Sequence, residues 1–548
     1  MENQRLILFI ALALVGVLLW QAWETRHAPV PAPAATGAVP APSVPPGEVP
    51  DMPPALSGPG AAPQAQAAAA AEGGQRIRVI TDVLEVELDS VGGDVRHARL
   101  LAYPVSLKNP QEKVLLMSDQ PARLFVAQSG LISRSAGLPD HHARYRAEST
   151  EYRLAEGQNE LKVALHWESE AGLRVTKTLT FHRDSYAIDV DYHVTNGTAE
   201  AVSLAMYRQL QRGGYVDPGE NSLVYTFTGG VVSNSLNKYD KIEFDDMASW
   251  RSEQDFAQGG WVAMLQHYFT AAWLAEGTES NRFYTKALPT GTYVLGMSTP
   301  EQQIAPQAAA TLHTRMFVGP KDQARMETVE PTLKLTVDYG IFSILADPLF
   351  WLLTKINDFL GNWGWSIIVL TVLIKIVFYK LTETQYRSMA QLRKLQPKME
   401  ALKERYGDDR QKMGQAMMEL YRTEKVNPLA GCVPILIQIP VFIALYWVLV
   451  ESVEMRQAPF ILWINDLTAK DPFFVLPVLM GISMYIMQKL SPMPTDPVQA
   501  KVMMSLPFVF TIFFAFFPSG LVLYWFANNL LSILQQWYIT RKLEKAAA

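Results

Sequence analysis

The chain has a single cysteine among 548 residues, Cys432, which excludes an intrachain disulfide and a cysteine-rich metal site. It has no Gly-rich phosphate loop ending in Lys-Ser or Lys-Thr and no His-Glu-x-x-His helix, so the common nucleotide and zinc-hydrolase signatures are missing. A surplus of one charge sign is missing too. The 48 basic residues face 53 acidic ones, a formal net charge of -5, and no global basic field argues for sequence-specific nucleic-acid binding. The pair His141-His142 and the acidic group Asp240, Glu243, Asp245 and Asp246 lack ligand spacing with a matching partner, and read as solvated loop positions rather than a metal site. No catalytic motif and no cofactor is therefore expected, and the chain does not read as an enzyme.

What is present divides by composition. A 49% hydrophobic content alongside 18% charge combines a membrane protein's apolar share with a soluble domain's charge. Leu6 to Trp23 is apolar behind Arg5, as in a signal peptide or an anchor. Gln21-Ala-Trp-Glu24 lacks a small-x-small cleavage pattern, which favours an uncleaved transmembrane anchor over 1–24. Residues 25–75 are rich in Ala and Pro with little charge, an extended tether.

From 76 to 338 the pattern alternates with period two. Leu161, Val163, Leu165 and Trp167 predict one strand; Leu173, Val175, Leu179 and Phe181 a second; Ile188, Val190, Tyr192 and Val194 a third. Asn196-Gly197 then predicts a type I′ hairpin returning through Val202, Leu204 and Met206. The expectation is a large antiparallel β domain.

Residues 339–361 predict an amphipathic helix lying at a membrane surface, too polar to span at Asp347, Lys355, Asn357 and Asp358. The alternative is an ordinary domain-core helix. Within 362–548 five apolar spans follow, Trp363–Lys380, Gly431–Val450, Phe473–Met487, Val502–Phe517 and Leu521–Ile539. The insert 384–427 carries Arg387, Arg393, Lys394, Lys398, Lys403, Arg405, Arg410, Lys412, Arg422 and Lys425, so the positive-inside rule puts it in the cytoplasm. Parity then puts both termini in the cytoplasm and the β domain outside. Met389, Leu392, Met399 and Leu402, then Met413, Met417 and Leu420, predict a helical hairpin broken at Gly407-Asp408-Asp409 and kinked at Pro397. Its methionine-rich seam either holds the two helices together or docks a partner.

No Asp, Glu or His lies in the five spans, which disfavours proton- or cation-coupled transport. Polar stripes do lie there. Thr371, Lys375 and Tyr379 are spaced four apart; Gln438 and Phe442 share a face; Tyr524, Asn528, Ser532 and Gln535 line one side of the last span. A lysine at the centre of a membrane helix costs about 2.5 to 3.5 kcal/mol, so Lys375 either faces a hydrated cavity or snorkels toward the interface near Lys380. Three stripes in one unit favour the cavity. The third and fourth spans, roughly 22 and 24 Å long, fall short of a 30 Å hydrocarbon core and suit a thinned bilayer.

Three stretches carry a resemblance. Glu424-Lys-Val-Asn-Pro-Leu-Ala-Gly-Cys-Val-Pro434 through Gln438-Ile-Pro440-Val-Phe442, then Arg456-Gln-Ala-Pro-Phe460, then Phe517-Pro-Ser-Gly-Leu-Val-Leu-Tyr524-Trp525 closely resemble the YidC family of membrane protein insertases. The anchor, tether and outer domain are similar to its Gram-negative form, in which the periplasmic domain is a β-supersandwich. The resemblance implies a bacterial inner-membrane insertase and chaperone with a cytoplasm-open hydrophilic groove. Lys375, Thr371, Gln438 and Asn528 would line that groove, and Ile439, Phe442, Tyr524 and Trp525 would form a slide for the incoming helix. It implies as partners nascent membrane proteins, lipid, the ribosome and targeting machinery at the cytoplasmic hairpin, and the Sec translocon. The best-known members have arginine where this chain has Lys375, which keeps the charge but not the fork. The short tail after Arg541 implies a weaker ribosome contact. Two rivals remain: a polytopic transporter or channel with a periplasmic binding domain, and a periplasmic chaperone whose membrane part only anchors it.

Overall fold

The computed structural model describes residues 74–134, 137–215, 226–277, 279–406, 409–424, 426, 433–490 and 497–547. The anchor at 1–24, all but the end of the tether at 25–75, and Asn427 to Cys432 lie outside the described residues. Those described fall into two compact units that meet in sequence at Val337 and Asp338.

The first unit is a sandwich of two sheets. A nine-stranded antiparallel sheet runs in the order Asp240–Ile242, Gly229–Ser233, Trp261–Leu265, Phe269–Leu274, Ala309–Pro320, Ala187–Asn196, Leu173–His182, Glu160–Glu168, Arg146–Ala147. The second, eleven-stranded sheet is built around Val202–Gly213, which pairs with Thr292–Ser298 and Phe125–Ile132. One of its edges carries a parallel pair, Arg76–Ile80 with Glu151–Arg153. Alternation sets what faces inward: Leu173, Val175, Leu179 and Phe181 are buried, and Lys177 occupies an inward position between them. A short helix, α1 (Gln323–Val329), is capped by the Asp322 side chain accepting from the Arg325 N–H at 3.0 Å.

The predicted hairpin at Asn196-Gly197 does not form. Ala187–Asn196 pairs with Leu173–His182 and Ala309–Pro320, while Val202–Gly213 belongs to the other sheet. Neither Asn196 nor Gly197 has the positive φ that a type I′ turn requires. Asn196 is buried and knots the crossover: its Nδ2 donates to the carbonyls of Glu200 at 2.8 Å and Ile304 at 3.1 Å, and its Oδ1 accepts from the Thr198 N–H at 3.0 Å and hydroxyl at 2.7 Å.

The second unit contains α2 (Ser343–Leu360), α3 (Trp363–Val377), α4 (Tyr379–Tyr406), α5 (Arg410–Thr423), α6 (Val433–Glu451), α7 (Val475–Leu490), α8 (Pro497–Phe514) and α9 (Ser519–Ala547). Helix α2 buries Ala346, Phe350 and Leu353, packs on α3 and α6, and leaves Ile344 and Phe359 more than four-fifths exposed. Gly361, in the left-handed region at φ 64°, ends it, and Asn362 starts α3 by accepting from the Trp365 N–H at 3.1 Å.

The apolar stretch predicted to run unbroken to Lys380 bends by 69° at Phe378. There the Phe378 carbonyl accepts both the Thr382 N–H and the Thr382 hydroxyl, each at 3.0 Å, a back-bond of the kind that bends helices. Tyr379 therefore opens the next helix instead of extending the Thr371 and Lys375 face. Helix α4 continues through Pro397 to Tyr406 as one element. It meets α5 through the Lys398–Glu424 ion pair and the Tyr421 hydroxyl on Met399. Among the described residues no single helix is long and apolar enough to cross a membrane; α3 and α4 meet that measure jointly, by length and composition only, across their bend. Shorter apolar helices cover Ile437–Glu451, Val475–Leu490 and Ala500–Phe514.

Candidate functional site

One end of the helical unit is tied shut by the segment between α6 and α7. Asn362, at the start of α3, donates to the Phe460 carbonyl at 3.1 Å, and the Phe460 ring occupies the space a side chain on Gly364 would need. Asp471 accepts from the Trp463 indole at 3.0 Å and caps α7 through the Leu476 N–H at 2.7 Å. At the start of α9 the Ser519 hydroxyl donates to the Asp466 and Ala469 carbonyls at 2.8 and 2.9 Å, and the Gly520 N–H to Leu467 at 2.8 Å. The backbone groups of these helix starts are thus satisfied by protein.

Nearer the other end lie polar contacts drawn from five helices. The Lys375 ammonium on α3 donates to the Ser532 Oγ on α9 at 2.8 Å, so the lysine turns into the unit and does not snorkel. The Ser532 hydroxyl donates in turn to the Asn528 carbonyl at 2.7 Å, and the Tyr386 hydroxyl on α4 donates to the Ser532 carbonyl at 3.3 Å. Gln438 on α6 reaches the Thr382 hydroxyl on α4 at 3.5 Å. Between α7 and α9, Asn529 donates to the Ser483 hydroxyl at 3.2 Å and Gln536 to the Leu490 carbonyl at 3.1 Å. Among the described residues neither buried amide atom of Gln535 has a hydrogen-bond partner.

An aromatic group lies alongside. The Phe442 ring stacks on Tyr524 at 5.7 Å and meets Trp525 edge-on at 4.6 Å; Trp525 also contacts Phe514 at 5.3 Å. The buried Trp525 Nε1 has no partner among the described residues, and Ile439 on the same helix as Phe442 is exposed.

Two family models between them match most of the chain from residue 76 to residue 546. Residues 76–352 match the YidC periplasmic domain, and residues 355–546 match the 60Kd inner membrane protein. The chain belongs to the YidC family. The membrane protein insertase YidC of Thioalkalivibrio sulfidiphilus is 52% identical across 100% of this chain and 99% of its own length. That of Nitrosococcus oceani is 50% identical across the whole of both chains. A solved structure of an active YidC insertase with its first transmembrane domain resolved covers 85% of this chain and 93% of that chain, at 18% identity and a TM-score of 0.39.

The YidC-family residues expected at the site separate into those the fold joins and those it does not. Phe442, Tyr524 and Trp525 touch one another. Lys375 and Gln438 each find a polar partner, but on different residues, Ser532 and Thr382. Thr371 is buried with its hydroxyl donated to its own helix at the Ile367 carbonyl, 2.6 Å away. Among the described residues the Asn528 side chain has no hydrogen-bond partner; its main-chain carbonyl serves Ser532. Sequence reasoning missed Thr382, which falls between the first span and the insert, and Tyr386, which falls inside the insert. Their spacing of four continues Phe378 and was the available signal.

Proposed function

We propose that this chain is a membrane protein insertase, inserting and helping to fold nascent inner-membrane proteins through a hydrophilic groove open to the cytoplasm. The observation that carries the reading is the Lys375 ammonium. It sits between helices with the Ser532 hydroxyl as partner, and among the described residues no carboxylate pairs with it. A cation with a neutral partner keeps most of its capacity for an acidic or polar segment of client chain. The client's short outer segment enters beside Lys375, Thr371, Gln438 and Asn528. Its apolar helix passes over Ile439, Phe442, Tyr524 and Trp525 into lipid, driven by burial at roughly 25 cal/mol per Å² of apolar area.

Domain by domain, the reading is a transmembrane anchor at 1–24, a linker at 25–75, a periplasmic β domain at 76–338, an interfacial helix at 339–361, and a five-helix core at 362–548 with both termini cytoplasmic. The exposed Ile344 and Phe359 support a lipid-facing α2, and the tied segment between α6 and α7 supports closure toward the periplasm. The basic insert at 384–427 is the cytoplasmic hairpin that meets ribosomes and targeting machinery, and the unit works alone or beside the Sec translocon. The relatives' names, membrane protein insertase along full-length matches, support this reading over a transporter or channel.

Reconstituted vesicles test it. Purified chain is expected to insert a short client protein without nucleotide. Solute flux without client insertion would establish the transporter instead. Photocrosslinkers at Lys375, Phe442 and Tyr524 are expected to capture a stalled nascent chain.

A further inference from the structure

The geometry around Lys375 assigns a role to two residues outside the proposed groove and slide. A lysine side chain is a flexible stem ending in a compact point charge, with three donors and no fixed direction. In an apolar helix such a group gains by bending toward the nearest interface. Here it instead spans from α3 to α9, and the serine it meets can play only one part. The one hydrogen of the Ser532 hydroxyl goes to the Asn528 carbonyl at 2.7 Å, so the oxygen presents its lone pairs to the ammonium 2.8 Å away. The same turn of α9 is held from a third helix, where the buried Tyr386 hydroxyl donates to the Ser532 carbonyl at 3.3 Å. Tyr386 can reach it because α4 leaves α3 at 69°.

We propose that Ser532, braced by Tyr386, is a positioning residue that aims the Lys375 ammonium at the client segment and leaves two of its three N–H groups free to bind it. The proposal rests on the insertase reading and adds to it. A lysine needs an anchor of this kind where the rigid fork of an arginine would hold its own direction.

The experiment uses full-length chain in vesicles and two clients that differ only in an acidic or a neutral outer segment. Lys375→Ala is expected to lower insertion of the acidic client relative to the neutral one; if it lowers both equally or neither, the role of Lys375 fails and this proposal fails with it. Given that selectivity, Ser532→Ala is expected to reduce the acidic client's insertion about tenfold, as for one lost hydrogen bond to a charged group, with less than a twofold change for the neutral client. Ser532→Thr, which keeps a hydroxyl, is expected to restore it. Tyr386→Phe is expected to give a smaller loss in the same direction. In the Lys375→Ala background Ser532→Ala is expected to change the ratio of the two clients no further. Equal losses for both clients with Ser532→Ala, or an added loss in the Lys375→Ala background, would make Ser532 merely structural and overturn the assignment while leaving the insertase reading intact.

Discussion

Both units set a lysine into an apolar pattern, Lys177 buried and Lys375 half-buried, and they treat it oppositely. In the β sandwich Lys177 donates to the Gly92 carbonyl at 2.9 Å, lies 5.4 Å from the Tyr192 ring centre, and shares its surroundings with Asp94, itself ion-paired to Arg96 at 3.1 Å. Another buried cation, Arg208, is paired with Glu279 at 2.9 Å. In the helical unit Lys375 has a serine hydroxyl. A buried charge matched by an opposite one is spent within the fold, whereas one matched by a neutral dipole remains available to a visitor. The first arrangement holds Lys177 across to the Gly92 turn of the other sheet; under the proposal above, the second leaves Lys375 for a client.

The most damaging way to probe this contrast is to reverse the available charge. Lys375→Glu is expected to lower client insertion at least tenfold while Lys375→Arg keeps most of it; equal activity of the two would remove the charge from the mechanism. The second probe weighs stability. Lys177→Met leaves Asp94 buried with less compensation and is expected to cost about 3 to 5 kcal/mol, read by chemical unfolding of the full chain. Lys375→Met orphans no opposite charge and is expected to cost far less, so comparable losses would erase the distinction.

A smaller effect comes from the crossover knot. Asn196→Ala removes the amide donor to the Glu200 and Ile304 carbonyls and the acceptor of the Thr198 N–H, and is expected to cost about 1 to 3 kcal/mol in the same unfolding measurement. The smallest is a pH dependence. Burial raises the Asp94 carboxyl to about 6, so the folded state holds its proton longer than the unfolded chain does. Its contribution to stability is therefore expected to fall as pH rises from the ordinary carboxylate range toward 6. Burial lowers Lys177 to about 8, so its contribution is expected to rise from pH 8 toward the ordinary lysine value. Hydrogen-exchange protection of Leu173–His182 across pH 4 to 6 checks the first of these. Asp94→Asn is expected to flatten it.

The amino-acid order alone made much of this molecule readable. Alternation located the strands at Glu160–Glu168, Leu173–His182 and Ala187–Asn196, because a strand with one buried face must repeat every two residues. The Gly361-Asn362 punctuation separates α2 from α3, and the motifs around Phe442 and Tyr524 pointed to rings that do meet. Lys177 was legible in principle, since it stands at an inward position of its strand, yet the eye passes over a cation between Val175 and Leu179.

Other features were settled only in three dimensions. Asn196-Gly197 is a hairpin signal whose outcome depended on which sheet the next strand joined, and pairing with distant strands outweighed the local turn preference. The bend at Phe378 lies at neither proline nor glycine; it goes with a threonine hydroxyl competing for a carbonyl, and it brings Tyr386 back beside α9. The partner of Lys375 lies 157 residues away along the chain. Periodicity reports which face of a helix is polar, but a hydrogen bond between helices depends on distance and direction, which only their packing fixes.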